Sequence, residues 1–496
     1  MVRNHSFEQL TGSDRLKSPI NLLLMAMLMV LSAWLIGKMG LTIGLGLLIL
    51  PFVFAFFYLL FVYPVIGLYA AVIVGFFALG LGRYVDFQVG LLMDGILFLT
   101  FIALIFNKFY ERIDWSLAKK DITLLAVIWL GYSFLEVINP ESRSIAAWLN
   151  GMRGIAMYML LITVLTLMLV NTNRKIEYFI LLWGGLSLLA SVKGITQHFI
   201  GVDSYEQAWL NAGAAQTHVL FGTLRVFSFL SDAGQFGANQ AYSGVVALIL
   251  ALEEKDWRKK AFFLVVAFLG FYGMFLSGTR GAISIPMAGM GTYFILKKNK
   301  LVMLSGFIAL VLVFAFFKFT TVGQGNYQIR RMRSAFDPKD ASFQVRLENQ
   351  RTLKSYLATR PFGGGLGHAG VKAQRFLPNA FLSNIATDSW YVMIWAELGV
   401  VGLLLHLFIL FYIVIKSSYR IMNRIRDPIL KVRMSALLAG MVGVMVASYG
   451  NAVLGTMPTA VTIYVTMALL LNTEKLDTPP ELSDAMVLPE KKMLSS

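Results

Sequence analysis

Three consecutive stretches decide the reading of this chain: FFLVVAFLGFYGMFL (Phe262 to Leu276), SGTRGA (Ser277 to Ala282) and ISIPMAGMGTYFIL (Ile283 to Leu296). Two long apolar runs are held apart by six residues, and one of the six is Arg280. A helix that crosses a bilayer needs about 17–25 predominantly apolar residues. The stretch therefore predicts two membrane spans joined by a tight turn that carries a cation.

Runs of the same kind recur from Pro19 to Asn472. Fourteen spans are expected, at 19–36, 41–62, 64–82, 89–106, 121–138, 154–171, 176–193, 236–252, 260–277, 280–296, 301–318, 389–415, 431–452 and 457–472. Only Tyr63 and Pro64 separate the second from the third, which leaves one broken element as an alternative and twelve spans as a lower count. Composition agrees: 57% of residues are hydrophobic and 14% charged, against about 45–50% and about 25% in soluble domains. Continuous apolar runs exclude a β-barrel, whose strands alternate. The expected class is an all-α polytopic membrane protein with about 12–14 transmembrane helices and one large, mainly helical external loop. With no cysteine in the chain, disulfides, iron–sulfur clusters and thiolate metal sites are excluded. The polar first 18 residues and the lack of a small-residue cleavage site predict a retained first helix.

Orientation follows from the loops. With the N-terminus inside, the inner loops gather nineteen basic residues, among them Lys108, Arg112, Arg174, Lys259, Lys297 and Arg424. The short outer loops hold about six, which satisfies the positive-inside rule. The expected organisation is a cytoplasmic tail at 1–18, spans at 19–318 with an external loop at 194–235, a large basic loop at 319–388, spans at 389–472 and a disordered cytoplasmic tail at 473–496.

The large loop carries ten basic residues from Arg330 to Arg375 against Asp337, Asp340 and Glu348. Long loops cross membranes largely regardless of charge. This one therefore points to an anionic partner, with anionic lipid headgroups as the plainer reading. Arginine suits phosphate because its planar fork binds two oxygens at once. Arg225, Arg280 and Arg346, with Arg351 and Arg360, are candidates for an outward-facing pyrophosphate clamp. Phe343, Leu347, Leu353 and Leu357 share one helical face, and Arg346 falls within it. In RPFGGGLGHAG (Arg360 to Gly370) the backbone at Gly365 and Gly367 could approach an anion, or simply turn. Arg83, Lys193 and Lys318 read as snorkelling cations, whereas Glu397, well inside its span, needs a partner such as an arginine.

Activating an acceptor hydroxyl calls for a base. His368, His198, His218, Asp232 and Asp388 are the outer-side candidates; the plain role of Asp388 is a helix N-cap. There is no Asp-x-Asp pair and no His/Asp/Glu cluster at metal spacing, so no metal or other cofactor is expected.

Four stretches resemble the O-antigen ligase and Wzy-type O-antigen polymerase superfamily of bacterial inner-membrane glycosyltransferases. They are RVFSFLSDAGQFGANQA (Arg225 to Ala241), LSGTRGA (Leu276 to Ala282), SFQVRLENQRTLKSYLATRPFGGGLG (Ser342 to Gly367) and DSWYVMIWAELGVVGLL (Asp388 to Leu404). Where ligases of this family carry a His-Asn pair, this chain reads ATDSWY, with Asp388 and Ser389, which leans toward a polymerase.

The resemblance implies a polyprenyl-pyrophosphate-linked glycan as donor, a saccharide, lipid or protein as acceptor, and membrane lipids rather than nucleic acid as surroundings. It implies arginines on the pyrophosphate, attack by a sugar hydroxyl, and a site on the periplasmic face of the inner membrane. The product would be a cell-envelope polysaccharide or exopolysaccharide. Ligation to another acceptor is the alternative. A lipid-linked sugar flippase is a further one, although the charges gather on the outer side instead of lining a path through both leaflets. The oligomeric state stays open.

Overall fold

The computed structural model describes residues 19–39, 41–85, 90–107, 113–337 and 339–477. The expected tail at 1–18, the inner cations Lys108 and Arg112, and everything from 478 onward lie outside the described residues.

The chain divides after Pro64 into two compact units. The first holds α1 (Pro19–Met39) and α2 (Leu41–Val62), which pack on each other. Phe52, Phe54 and Tyr58 on α2 are exposed, as suits a lipid-facing surface. Tyr63 and Pro64 break the helix, because proline has no N–H to continue the ladder.

The second unit contains α3 (Val65–Leu81), α4 (Gly90–Asn107), α5 (Asp121–Leu135), α6 (Ile145–Leu169), α7 (Asn173–Phe199), α8 (Ala233–Glu253), α9 (Trp257–Leu276), α10 (Ser284–Leu296) and α11 (Lys300–Phe319). The basic loop follows with α12 (Tyr327–Arg333) and α13 (Ala341–Leu357), and then come α14 (Trp390–Asn423), α15 (Pro428–Ala447) and α16 (Thr459–Leu471). Each of the fourteen expected spans falls on a helix. Among the described residues eight helices are long and apolar enough to cross a membrane, with three shorter apolar ones beside them. This is an all-α polytopic membrane protein.

Small residues let the helices close. A β-carbon on Gly270 of α9 would meet the Gln240 carbonyl oxygen of α8 at 2.8 Å, and one on Gly443 of α15 would meet the Ile285 carbonyl oxygen of α10 at 2.6 Å. Packing between membrane helices relies on such close approach, since lipid supplies no hydrophobic drive between them. The core between the helices is continuous, with Trp129, Trp183, Tyr242 and Phe179 fully buried.

Several helices depart from the expected ranges. The span expected at 154–171 starts nine residues earlier, because the Ser144 side chain caps Ala147 N–H; a π-turn at Arg153–Met157 then widens the helix. The span expected at 389–415 runs to Asn423 and is broken at Gly399, whose φ is +67°. The external loop also differs. Its helix runs on to Phe199, and a two-residue hairpin pairs Val219–Leu220 with Thr223–Leu224 around Phe221 and Gly222, both at positive φ. The chain stays ordered beyond 472: Thr473–Leu476 forms a helical turn, and Asp477 accepts from the amides of Arg426 and Asp427.

Candidate functional site

The turn between α9 and α10 is buried at Ser277, Gly278 and Thr279, not presented as an open hairpin tip. Gly278 takes φ +58°, a left-handed conformation that glycine adopts without strain. Ser277 Oγ donates to Met274 O at 2.6 Å, and Thr279 Oγ1 donates to Ala233 O at 2.8 Å, which ties the turn to the start of α8.

Three arginines from three segments converge on this turn. Arg225 donates through Nε to Ser277 O at 3.3 Å, through one terminal nitrogen to Thr217 O at 2.8 Å and through the other to Thr279 Oγ1 at 3.2 Å. Arg331, from α12, donates through Nε to Gly278 O at 2.8 Å. Arg280 opens the short 3-10 turn Arg280–Ile283, donates to Ser334 Oγ at 3.3 Å and forms an ion pair with Asp340. Burial pushes the Arg225 guanidinium down to about 10, with the Arg331 and Arg280 cations adding to the effect and Asp232 opposing it. Burial also lowers Arg331, and Arg280 again contributes. Like charges gathered in a half-buried layer raise their own energy, and an anion bound among them would relieve it.

A second pair stands beside this cluster. Arg346 on α13 and Asp388 lie 3.3 Å apart, Nε to Oδ2. A β-carbon on Gly450 would lie 3.9 Å from both the Arg346 terminal nitrogen and the Gly281 Cα, so Arg346 approaches the Arg280 turn. Ser389, not Asp388, caps α14, its hydroxyl accepting from Val392 N–H at 3.4 Å. The plain capping role considered for Asp388 is thus filled by its neighbour, and Asp388 is half exposed. The hydrophobic face expected on α13 is real toward its C-terminal end: Leu353 and Leu357 are buried against Ala369, Leu382 and Ala396. Phe343 at the other end is exposed.

The other candidates go elsewhere. Arg360 donates through Nε to Glu141 Oε1 at 2.8 Å and stacks over the Tyr356 ring at 4.1 Å, so it locks the loop rather than joining the arginine cluster. Arg351 is exposed on α13. The glycine-rich loop grips protein, not an anion. Gly364 N–H donates to Ala396 O at 2.8 Å and Gly365 N–H to Glu397 O at 3.1 Å, using carbonyls freed by the break at Gly399. Gly367 packs against α6, where a β-carbon would meet Ala147 O at 2.1 Å.

His368 is not free to act as a base. Ser144 N–H donates to its Nε2 at 3.1 Å, which leaves the proton on Nδ1, 2.8 Å from Leu366 O. Both nitrogens are used, and burial lowers the ring's proton affinity. His218 is buried beside Trp209 and Phe227, and Asp232 caps α8. The cations read as snorkelling also contact protein groups. Lys193 lies 3.1 Å from both Asp203 and Glu206, Arg83 sits over the Trp209 and Phe227 rings, and Lys318 donates to Phe336 O at 2.6 Å.

Among the described residues Glu397 has no arginine partner. Its Oε1 accepts from Ala369 N–H at 3.3 Å, and its Oε2 meets no protein donor. It lines a cavity of about 430 Å³ that also takes in Asp388, Lys372, Arg153, Tyr158 and Tyr464. Sequence reasoning counted Arg331 only as a loop charge and gave Glu397 the wrong partner. The signal for Arg331 was the charge run RRMR, which alone does not say which member turns inward.

The geometry is that of a polytopic membrane protein with an arginine cluster at one turn, next to a carboxylate and a cavity. Residues 264–407 match the family model described as O-antigen ligase, a stretch that holds Arg280, Arg331, Arg346, Asp388 and Glu397. A curated relative, an O-antigen polymerase of Salmonella muenchen, is 23% identical over 355 residues, covering 68% of this chain and 85% of its own. Both findings support the O-antigen ligase and polymerase superfamily.

Proposed function

We propose that this protein is an inner-membrane glycosyltransferase that polymerises polyprenyl-pyrophosphate-linked oligosaccharide repeats at the periplasmic face. The observation that carries the reading is the convergence of Arg225, Arg280 and Arg331 on the Ser277–Arg280 turn, with Arg346 and Asp388 alongside. Arginines so placed hold a pyrophosphate and stabilise the charge it gains on leaving.

The acceptor hydroxyl gives its proton to the Asp388 carboxylate as its oxygen attacks the anomeric carbon. The bond from that carbon to the phosphate oxygen breaks, and polyprenyl pyrophosphate departs with the electron pair. Asp388 suits the role because it is half exposed, lines the cavity and stands next to Arg346. The relative's name favours polymerisation; the family description keeps transfer to a lipid or protein acceptor as the second reading.

Reconstitution tests it. Purified protein in liposomes, supplied with lipid-linked repeats, is expected to yield a ladder of chains and free polyprenyl pyrophosphate. If it yields no chains but moves the repeats across the bilayer, the enzyme reading falls.

A further inference from the structure

The cavity beside Asp388 has features that the pyrophosphate clamp does not explain. It lies between the 150–162 part of α6, the loop residues 367–373, the start of α14 and the 452–464 region. Its volume of about 430 Å³ falls within the roughly 300–1,000 Å³ of small-molecule sites. Leu79, Ile162 and Val461 give it apolar lining, and Tyr158, Trp390 and Tyr464 give it aromatic walls. Its polar groups are Asp388 near the arginines, Lys372 and Arg153, and deeper in, Glu397. Arg153 is already held by Asp94 at 2.7 Å, and Tyr158 donates to the same carboxylate at 2.6 Å.

Glu397 decides what belongs there. Its side chain is 3% exposed; the Gly367 and Ala369 amides face the carboxylate, and among the described residues Oε2 has no donor at hydrogen-bond geometry. Leaving a buried acceptor unpaired is destabilising, and more so when it carries charge. A hydrocarbon chain in the cavity would leave that cost standing. A sugar would remove it, with a hydroxyl donating to Oε2 and the apolar ring faces lying on the aromatic walls. We infer that this cavity is the acceptor-sugar site, and that Glu397 positions the acceptor by accepting a hydroxyl hydrogen bond. The inference rests on the transferase reading above, because Asp388 then meets the acceptor at the cavity mouth.

Two probes separate the inference from that reading. One is the repeat oligosaccharide released from the host's lipid carrier by mild acid; the other is polyprenyl pyrophosphate without sugar. Both are titrated onto the full-length protein in nanodiscs. Glu397→Gln is expected to weaken oligosaccharide binding at least tenfold and to change polyprenyl pyrophosphate binding less than twofold.

A second variant guards against misfolding. Val371 lines the cavity but is exposed, and the chain has no native cysteine. Val371→Cys can therefore be labelled selectively with a bulky maleimide. Labelling is expected to lower oligosaccharide binding at least tenfold relative to the same variant before labelling. The inference is overturned if the wild type binds no oligosaccharide, if neither change weakens its binding, or if polyprenyl phosphate displaces it. The underlying reading fails separately, if Arg280→Ala leaves polyprenyl pyrophosphate binding unchanged.

Discussion

Arg346, from the middle of the basic loop, and Asp388, at its end, are 42 residues apart in sequence, yet their side chains meet at 3.3 Å, Nε to Oδ2. The contact fixes a carboxylate next to a cation that also approaches the Arg280 turn. A base and a phosphate ligand are thus coupled in one geometry, and substitutions at the two should act differently.

Asp388→Asn keeps the shape and removes the base. It is expected to lower the polymerisation kcat by about 10²–10⁴-fold, with the KM for donor changed little. Steady-state rates with purified protein check this. A kcat within threefold of wild type would remove Asp388 from the mechanism.

Arg280→Lys keeps the charge and loses the planar fork. With a charge-assisted hydrogen bond contributing about 1.5–3 kcal/mol, turnover should fall about 10–100-fold. Arg331→Ala should weaken polyprenyl pyrophosphate binding in the same range, although Arg331 attracts no attention in the sequence. Full activity in Arg280→Lys would end the two-oxygen clamp.

His368 should matter for stability and not for chemistry. Burial holds its folded proton affinity below the ordinary histidine value, so below about pH 6.5 the unfolded chain binds more protons than the folded one. Stability is complete above that pH and falls as pH drops toward the lowered folded value. Thermal unfolding from pH 7.5 to 5 should show this slope, and His368→Gln should flatten it. Turnover per folded molecule in the variant should stay within about threefold, well short of the loss of about 10²–10⁴ expected for a missing base.

Gly399→Ala tests the interlock of loop and helix. Positive φ penalises alanine, and its β-carbon would meet Pro361 O at 2.0 Å. The combined strain and overpacking should cost about 2–4 kcal/mol. Limited proteolysis should then cut near residues 360–367, which the wild type protects.

The helices were legible because apolar length is a local property, and so was the class of protein. The arginine chemistry was legible in part. Arg225, Arg280 and Arg346 stood out by residue type and setting, and the structure brings Arg225 and Arg280 to one turn with Arg346 close by. Arg360 has the same chemistry but pairs with Glu141, more than two hundred residues away in sequence, and no local pattern announces that. The glycine loop misled for a similar reason. Its amides could serve an anion or a protein carbonyl, and the carbonyls that take them become available only because α14 breaks at Gly399. His368 looked poised because its partner Ser144 lies far away in sequence.

The central claim is tested most directly by mass spectrometry of lipid-linked glycans in the native host with this gene deleted. The account predicts that single repeat units accumulate on polyprenyl pyrophosphate in the outer leaflet, and that wild-type protein but not Asp388→Asn restores long chains. Long chains still attached to the carrier would contradict polymerisation and point to ligation. Single units confined to the inner leaflet would contradict the transferase account altogether.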